Sequence, residues 1–201
     1  MQKPKFSIII PSHNGEKCLG RCLDSVITQT IPDYEILVIA DACTDKTVEV
    51  AKKYPVKLFE VDFKRDGLTR NVGLDNACGD WILFLDHDDW WLHEYVLSLL
   101  NKQTFNHPDM DVLYFSFIWS GMGYYRQTAE HNYIAVWNKM YKRSFIGDTR
   151  FTDIPNWSDK DFTEALNNKV GNRMFWDMPM YYYNYLYEGS INARYAAGLT
   201  E

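Results

Sequence analysis

Over its first hundred residues the chain switches repeatedly between two hydrophobic periods, and this alternation narrows the fold more than any other feature. FSIIIP (6–11) is a short apolar run rich in β-branched residues, as expected of a buried strand, and EILVIA (35–40), VKLFEV (56–61) and WILFLD (81–86) read as three further strands. Between them the period lengthens. Leu19, Cys22, Leu23, Val26 and Ile27 recur at the spacing of an amphipathic helix. Thr44 or Asp45 can cap a second helix carrying Val48 and Ala51. A third runs from about Gly67 to Cys78, where Gly79 would end it. Leu92, Tyr95, Val96, Leu99 and Leu100 form the clearest helical stripe of the chain. Such alternation predicts an α/β fold: a mostly parallel, Rossmann-like sheet flanked by helices, with right-handed crossovers.

Beyond residue 105 the pattern becomes mixed. DVLYFSFIW (111–119) reads as a strand, GMGYY (121–125) as a turn and AVWNKMYKRSF (135–145) as a short helix or turn. Asp159 to Leu166 is helical, with Phe162, Ala165 and Leu166 on one face, and MPMYYYNYLY (178–187) is a tyrosine-rich strand. With no linker or repeat, 201 residues make one domain, 1–201. Its halves are 1–104 and a mixed C-terminal 105–201.

Ligands of such sheets bind at the carboxyl ends of the strands. That rule singles out PSHNGE, DACTD, KRDG and DHDDWW, which follow the first four strands. A net charge of -6 and the absence of a basic run argue against nucleic acid as partner. No apolar stretch is long enough to span a bilayer, and MQKPKFSIII enters a strand without a signal-peptide core. The expectation is a cytoplasmic protein, with only peripheral membrane contact left open. Cys18 and Cys22, four apart in a helical pattern, fit a packed face better than a zinc site, and Cys43 and Cys78 are expected as free thiols. The sequon-like NWS at Asn156 carries little weight without a secretory route.

Two phosphate-binding signatures fail on inspection. G-EKCL-G (15–20) has P-loop spacing, but Arg21 and Cys22 stand where lysine and Ser/Thr are needed; Gly121 and Gly123 begin a G-x-G that Arg126 interrupts. The acids of LDHDDWW (85–91) are the sharper signal. Asp86, Asp88 and Asp89 crowd around His87 directly after an oily strand, and carboxylates so close repel one another and resist burial. Two readings stay open on the residues alone: a solvated loop whose Asp89 caps the next helix, or a divalent-cation site, since carboxylates are natural ligands of Mg²⁺ and Mn²⁺. Arg70, taken alone, reads as an exposed helix arginine.

FSIIIPSHNGEKCLGRCLDSVITQT, EILVIADACTD and LTRNVGLDNACGDWILFLDHDD, in that order, resemble the family 2 glycosyltransferases of the GT-A fold. The resemblance continues through WNKMYKRSF and the Tyr-rich run before Gly-Ser-Ile, so it covers nearly the whole chain. It implies an inverting, metal-dependent transferase that moves a sugar from a nucleotide-diphosphate sugar, most readily a UDP-sugar, to a carbohydrate or glycoconjugate acceptor hydroxyl. Donor binding would fall to 1–104 and the acceptor side to 105–201. Pro11, Ser12, His13, Asn14 and Glu16 would line the nucleotide pocket, His13 standing where the family usually has an aromatic that packs on the base. Asp41 would accept a hydrogen bond from the base, Ala40 replacing the first of two acids common there. Arg70 and Asn71 match the family's Arg-Asn pair, with Arg70 at the diphosphate or the base edge. Asp86 and Asp88 match its D-x-D motif: Asp88 would ligate Mn²⁺ or Mg²⁺, and Asp86 would meet the ribose or the metal's water shell. Asp89 would face the sugar, Trp90 and Trp91 could stack on a sugar or acceptor although core packing of at least one is favoured, and His87 fills the variable slot on the donor side without a catalytic role. The general base would be Asp159, with Asp161 as the fallback, although Ser158 replaces the usual glutamate and helix capping competes as an explanation. A late histidine ligand is not expected, since none follows His131. Two other classes stay open: a sugar-phosphate nucleotidyltransferase, for which PSHNGEK is a poor triphosphate loop, and a nucleotide-sugar-binding protein without catalysis.

Overall fold

The computed structural model describes residues 3–129, 133–155 and 158–185. Asn156, His131, residues 186–187 of the tyrosine-rich run and the Gly-Ser-Ile that follows lie outside them. The first half alternates as the periods demand: β1 (Phe6–Ser12), α1 (Leu19–Ile27), β2 (Tyr34–Asp41), α2 (Thr47–Ala51), β3 (Lys57–Val61), α3 (Asp66–Asn76) and β4 (Trp81–Phe84). β1 pairs in parallel with β2 and β4, and β2 with β3. Ile8, Ile9, Ile10, Leu37, Val38, Ile39, Leu83 and Phe84 are fully buried, each worth about 1.5–3 kcal/mol of transfer free energy.

The chain continues with β5 (Trp90–Trp91), α4 (Val96–Asn106), β6 (Val112–Trp119), β7 (Gly123–Tyr125), β8 (Lys139–Lys142), α5 (Arg143–Ile146), α6 (Ser158–Asn167) and β9 (Arg173–Tyr183). All strands join one sheet, in the order β3-β2-β1-β4-β8-β6-β9-β5, with β7 beside β6. β8 runs antiparallel to β4 and β6, while β9 runs parallel to β6. The carboxyl ends of β1, β2, β4, β6 and β9 therefore share one edge. No helix among the described residues is long and apolar enough to cross a membrane.

Several expectations shift. The fourth helical stripe starts late, at Val96, because Trp90 and Trp91 are drawn into pairing with Tyr182 and Tyr181 and Leu92 donates its N–H to the Met180 carbonyl; Tyr95 is left exposed. Ile27 is 38% exposed at the end of α1, whose buried face is Leu19, Cys22, Leu23 and Val26. AVWNKMYKRSF supplies a strand, β8, before its helical turn, because β4 and β6 each offer it an open edge. GMGYY is a turn whose second half pairs with β6; Gly121 and Gly123 hold its positive φ of 81° and 83°. β9 begins at Arg173, five residues earlier than the alternation shows. Gly79 does not cap α3. It lies where a Cβ would come within 2.6 Å of the Ser7 backbone nitrogen, a close approach only glycine permits. All four cysteines are free, Cys18 and Cys22 buried against the core.

Candidate active site

The loops after β1 and β2 are built as one unit. Asn14, at φ 49°, accepts the Thr44 N–H with its side-chain oxygen at 2.8 Å. Asp45 accepts the N–H of Glu16 (2.9 Å), and the Glu16 carboxylate accepts that of Lys46 (3.3 Å). Asp45 also accepts the Thr47 N–H at 3.0 Å, which starts α2. His13 donates from Nδ1 to the Asp41 carbonyl at 2.7 Å, with Asn14 against its Nε2 at 3.1 Å, so the ring is fixed while it stays exposed. Below it, Ser12 is buried and its hydroxyl has no partner among the described residues. Pro11 presents its carbonyl to His87 Nδ1 at 3.2 Å.

Asp41, at the end of β2, is 4% exposed. Its carboxylate accepts the N–H groups of Phe63 (2.7 Å), Lys64 (3.0 Å) and Arg65 (3.1 Å) and the Thr69 hydroxyl (2.7 Å). Burial raises its pKa, but these four donors outweigh burial and hold the carboxyl below its usual value. A carboxylate offers about four lone-pair sites, so this one is fully engaged in shaping the loop after β3. Asn71 is similarly committed. Its amide donates to the Phe151 carbonyl and accepts the Phe151 N–H, both at 2.9 Å, pinning α3 to the segment before α6.

The acid cluster after β4 divides by partner. Asp89 is buried, accepting the Tyr181 hydroxyl at 2.5 Å and the Asn184 N–H at 2.7 Å. Burial, Asp88 and Asp86 push its carboxyl well up. Asp86 accepts Arg70 Nη2 at 2.8 Å. The Asp88 carboxylate is half-buried and forms no hydrogen bond or ion pair among the described residues; only its carbonyl is used, by Arg21 and Asn184. For His87, burial lowers the pKa, but a hydrogen bond with Cys18 and the charges of Asp88 and Asp86 take it up to about 9.

Arg70 is the correction that matters most. Far from lying exposed on α3, its side chain is 6% accessible and spans two acids, with Nη2 on Asp86 and Nη1 3.3 Å from Asp159 Oδ1. Asp159 sits on the first turn of α6, and its Oδ2 receives the Val136 N–H at 3.4 Å. Burial raises both carboxyls, and Arg70 pulls them only part of the way back. Burial would also lower Arg70, yet the two acids raise it, so the guanidinium keeps its proton and titration falls on the acids. Asp161 lies on the same turn but accepts the Thr152 hydroxyl at 2.9 Å and touches neither Arg70 nor Asp86.

The tryptophans are spoken for. Trp90 has the Arg21 guanidinium over its ring at 3.7 Å and Tyr182 stacked at 4.1 Å. Trp91 is 3% exposed. Half-buried aromatics instead gather at the ends of β6, β7 and β9, where Trp119, Tyr125, Tyr133 and Tyr183 pack edge-on and tilted. Nothing in the spacing of LDHDDWW identifies Tyr181 and Asn184 as partners of Asp89, since they lie more than ninety residues away. Separately, a cavity of about 740 Å³ beside Lys5, Trp81 and Arg143 opens at the amino ends of β1 and β4 and holds none of these candidates.

Residues 7–167 match the family described as glycosyl transferase family 2. Glycosyltransferase GlyA of Streptococcus pneumoniae is 32% identical over 197 residues, covering 83% of this chain and 28% of its own length. The crystal structure of S. aureus TarS 1–349 in complex with UDP-GlcNAc superposes with a TM-score of 0.77 at 25% identity, covering 89% of this chain and 58% of that one. The mannosyltransferase PcManGT from Pyrobaculum calidifontis, solved with GDP-Man and Mn²⁺, shares the fold with a TM-score of 0.73 at 16% identity, covering 94% and 59%. The chain thus spans less than two thirds of the length of each of these proteins.

Proposed function

Because the chain belongs to glycosyl transferase family 2, we propose that it binds a nucleotide-diphosphate sugar at the shared carboxyl edge of β1, β2 and β4 and transfers the sugar, with inversion, to an acceptor hydroxyl. The observation that carries this reading is the bridge Asp86–Arg70–Asp159, which brings an acid from the donor side and an acid from the second half onto one guanidinium. In this reading the chain is a single domain with a donor half, 1–104, and an acceptor half, 105–201. The acceptor is a carbohydrate or glycoconjugate.

Asp159 acts as the general base. A carboxyl raised by burial is better matched to neutral pH than an ordinary one, and Arg70 keeps it ionised and aimed. It takes the proton of the acceptor hydroxyl as that oxygen bonds to the anomeric carbon; the bond from that carbon to the diphosphate oxygen breaks on the opposite face. Arg70 serves here as the spacer between two acids more than as a clamp on the diphosphate. Ser12, with its buried and unpartnered hydroxyl, and exposed His13 line the nucleotide side, with Pro11, Asn14 and Glu16 forming the loop that holds them. Asp41 and Asn71 frame this pocket through the backbone groups they hold.

Among the described residues no three acid, histidine or cysteine side chains converge on one point, so in this reading a divalent cation rests on two carboxylates. Asp88 offers a carboxylate with no internal partner and Asp86 one shared with Arg70, so these two would hold Mn²⁺ or Mg²⁺, the other positions going to oxygens of the donor and water. A cation held there would offset the charge that grows on the leaving diphosphate. A uracil base is favoured by the likeness to the UDP-GlcNAc-bound TarS structure.

A thermal-shift screen of UDP- and GDP-sugars with and without Mn²⁺ tests the donor, since a bound donor stabilises the fold. Asp88→Ala should abolish metal-dependent transfer, and Asp159→Asn should retain donor binding and lose turnover. Full activity in either variant refutes its assignment. Pyrophosphate release from a sugar phosphate and a nucleoside triphosphate would indicate a nucleotidyltransferase instead.

A further inference from the structure

Lys139 is the one lysine among the described residues with no solvent exposure, and it forms no ion pair there. It stands on β8 opposite Tyr114 of β6, over whose ring its ammonium lies at 5.2 Å. Its Nζ donates to the carbonyl of Tyr133 (2.6 Å), to that of Ala135 and to the side-chain oxygen of Asn138 (2.8 Å). Burial carries its pKa down to about 7, partly opposed by the charge of Asp159. A methionine could fill the same space without the desolvation cost of an ammonium. The packing of β8 therefore does not account for the residue.

Its partners do. The two backbone carbonyls belong to the segment 133–136, which is hydrogen-bonded to α6 at Asp159 and Thr163. From this segment the Val136 N–H reaches Asp159 Oδ2, and the Ile134 carbonyl accepts the Thr163 hydroxyl at 2.8 Å. Gln127 steadies the other side, accepting the Tyr133 N–H at 3.2 Å and the Asn138 amide at 3.0 Å. We propose that Lys139 is a positioning residue for Asp159: its buried ammonium ties residues 133–136 to β8, and that strap holds the carboxylate at its angle between Val136 and Arg70. The inference rests on Asp159 being the general base, and the strap acts on orientation, leaving the donor pocket after β1 and β2 untouched.

The experiment is Lys139→Met, with Mn²⁺ and UDP-GlcNAc as the probe donor. Calorimetry gives donor affinity and the number of donor-binding sites per chain; released UDP gives kcat per site, which removes any loss from a reduced folded fraction. The strap predicts a kcat at least about tenfold lower, as small misplacements of a reacting group cost, with the donor Kd changed less than about threefold. A kcat per site within about twofold of the unmodified protein, or a donor affinity that falls in step with kcat, overturns the proposal. If Lys139→Met does not fold, Thr163→Val cuts the second tie of the same strap and should lower kcat per site with donor affinity kept; an unchanged kcat there overturns it equally. Asp159→Asn separates the two readings. Turnover retained in Asp159→Asn defeats the general base itself, whereas an inactive Asp159→Asn beside a fully active Lys139→Met defeats only the strap.

Discussion

Replacing Arg70 with methionine keeps much of the side-chain volume and removes the charge that Asp86 and Asp159 share. Taking one member from a buried ion pair costs about 3–5 kcal/mol, mostly because the remaining charge stays buried. Here the acids are 23% and 25% exposed, against 6% for the arginine, so water can resolvate them in part and the lower end applies, about 3 kcal/mol. For a folded chain of this length each kcal/mol moves Tm by about 2–4 °C, so the fall at pH 7 should be about 6–12 °C. The pH dependence identifies the cause. Both carboxyls are already raised in the folded protein, and loss of Arg70 raises them further. An acid whose folded pKa lies above its unfolded value penalises the fold at high pH, and the penalty lifts as pH falls through the folded value. The gap between Arg70→Met and the unmodified protein should therefore narrow from pH 8 to pH 5 in calorimetric scans. A gap under about 2 °C, or one equal at both pH values, would refute the claim that Arg70 chiefly offsets two half-buried acids.

Two further substitutions probe the frame of the site. Asp41→Asn should cost about 2–4 kcal/mol in urea unfolding, because an amide cannot accept from all four donors now facing the carboxylate. Asp41 is held below its usual value, so its contribution exists above the unfolded carboxyl pKa and is lost as pH falls through the lower folded one; the variant's deficit should shrink in strong acid, and an unshifted urea midpoint at neutral pH counts against this account. Trp90→Ala should cost about 1–3 kcal/mol by opening the stack of Arg21, Trp90 and Tyr182. Donor affinity measured by calorimetry should hold, and a tenfold loss would mean that the ring meets the ligand after all.

The parallel half of the fold was legible because its signals are local. The apolar runs at 6–11, 35–40 and 81–86 need only a neighbouring strand to bury them, and α1 carries its buried face in its own spacing. The second half resisted because its strands answer to distant partners. Lys139–Lys142 alternates too little to declare a strand, and becomes one because β4 and β6 lie on either side of it. β9 is interrupted by a register shift opposite Phe115, Ser116 and Phe117, which scrambles the period-two pattern a strand is recognised by. Trp90 looked available to a sugar because Tyr182 and Arg21, which cover its two faces, are remote in sequence.

The same limit governs the acid cluster, and there it bears on function. Read as a string, Asp86, Asp88 and Asp89 are nearly equivalent, and only a motif distinguishes them. In the fold their partners do so: Tyr181 and Asn184 engage Asp89, Arg70 engages Asp86, and Asp88 is left with a carboxylate unclaimed among the described residues. Like charges so close are tolerable only where each is offset separately. For Asp89 the offset is a pair of hydrogen bonds and for Asp86 a guanidinium; for Asp88 it is solvent, or the cation that the proposed mechanism needs. The acid with the fewest ties is thus the one best placed to bind something that comes and goes with substrate, while its neighbours hold the loop in place around it.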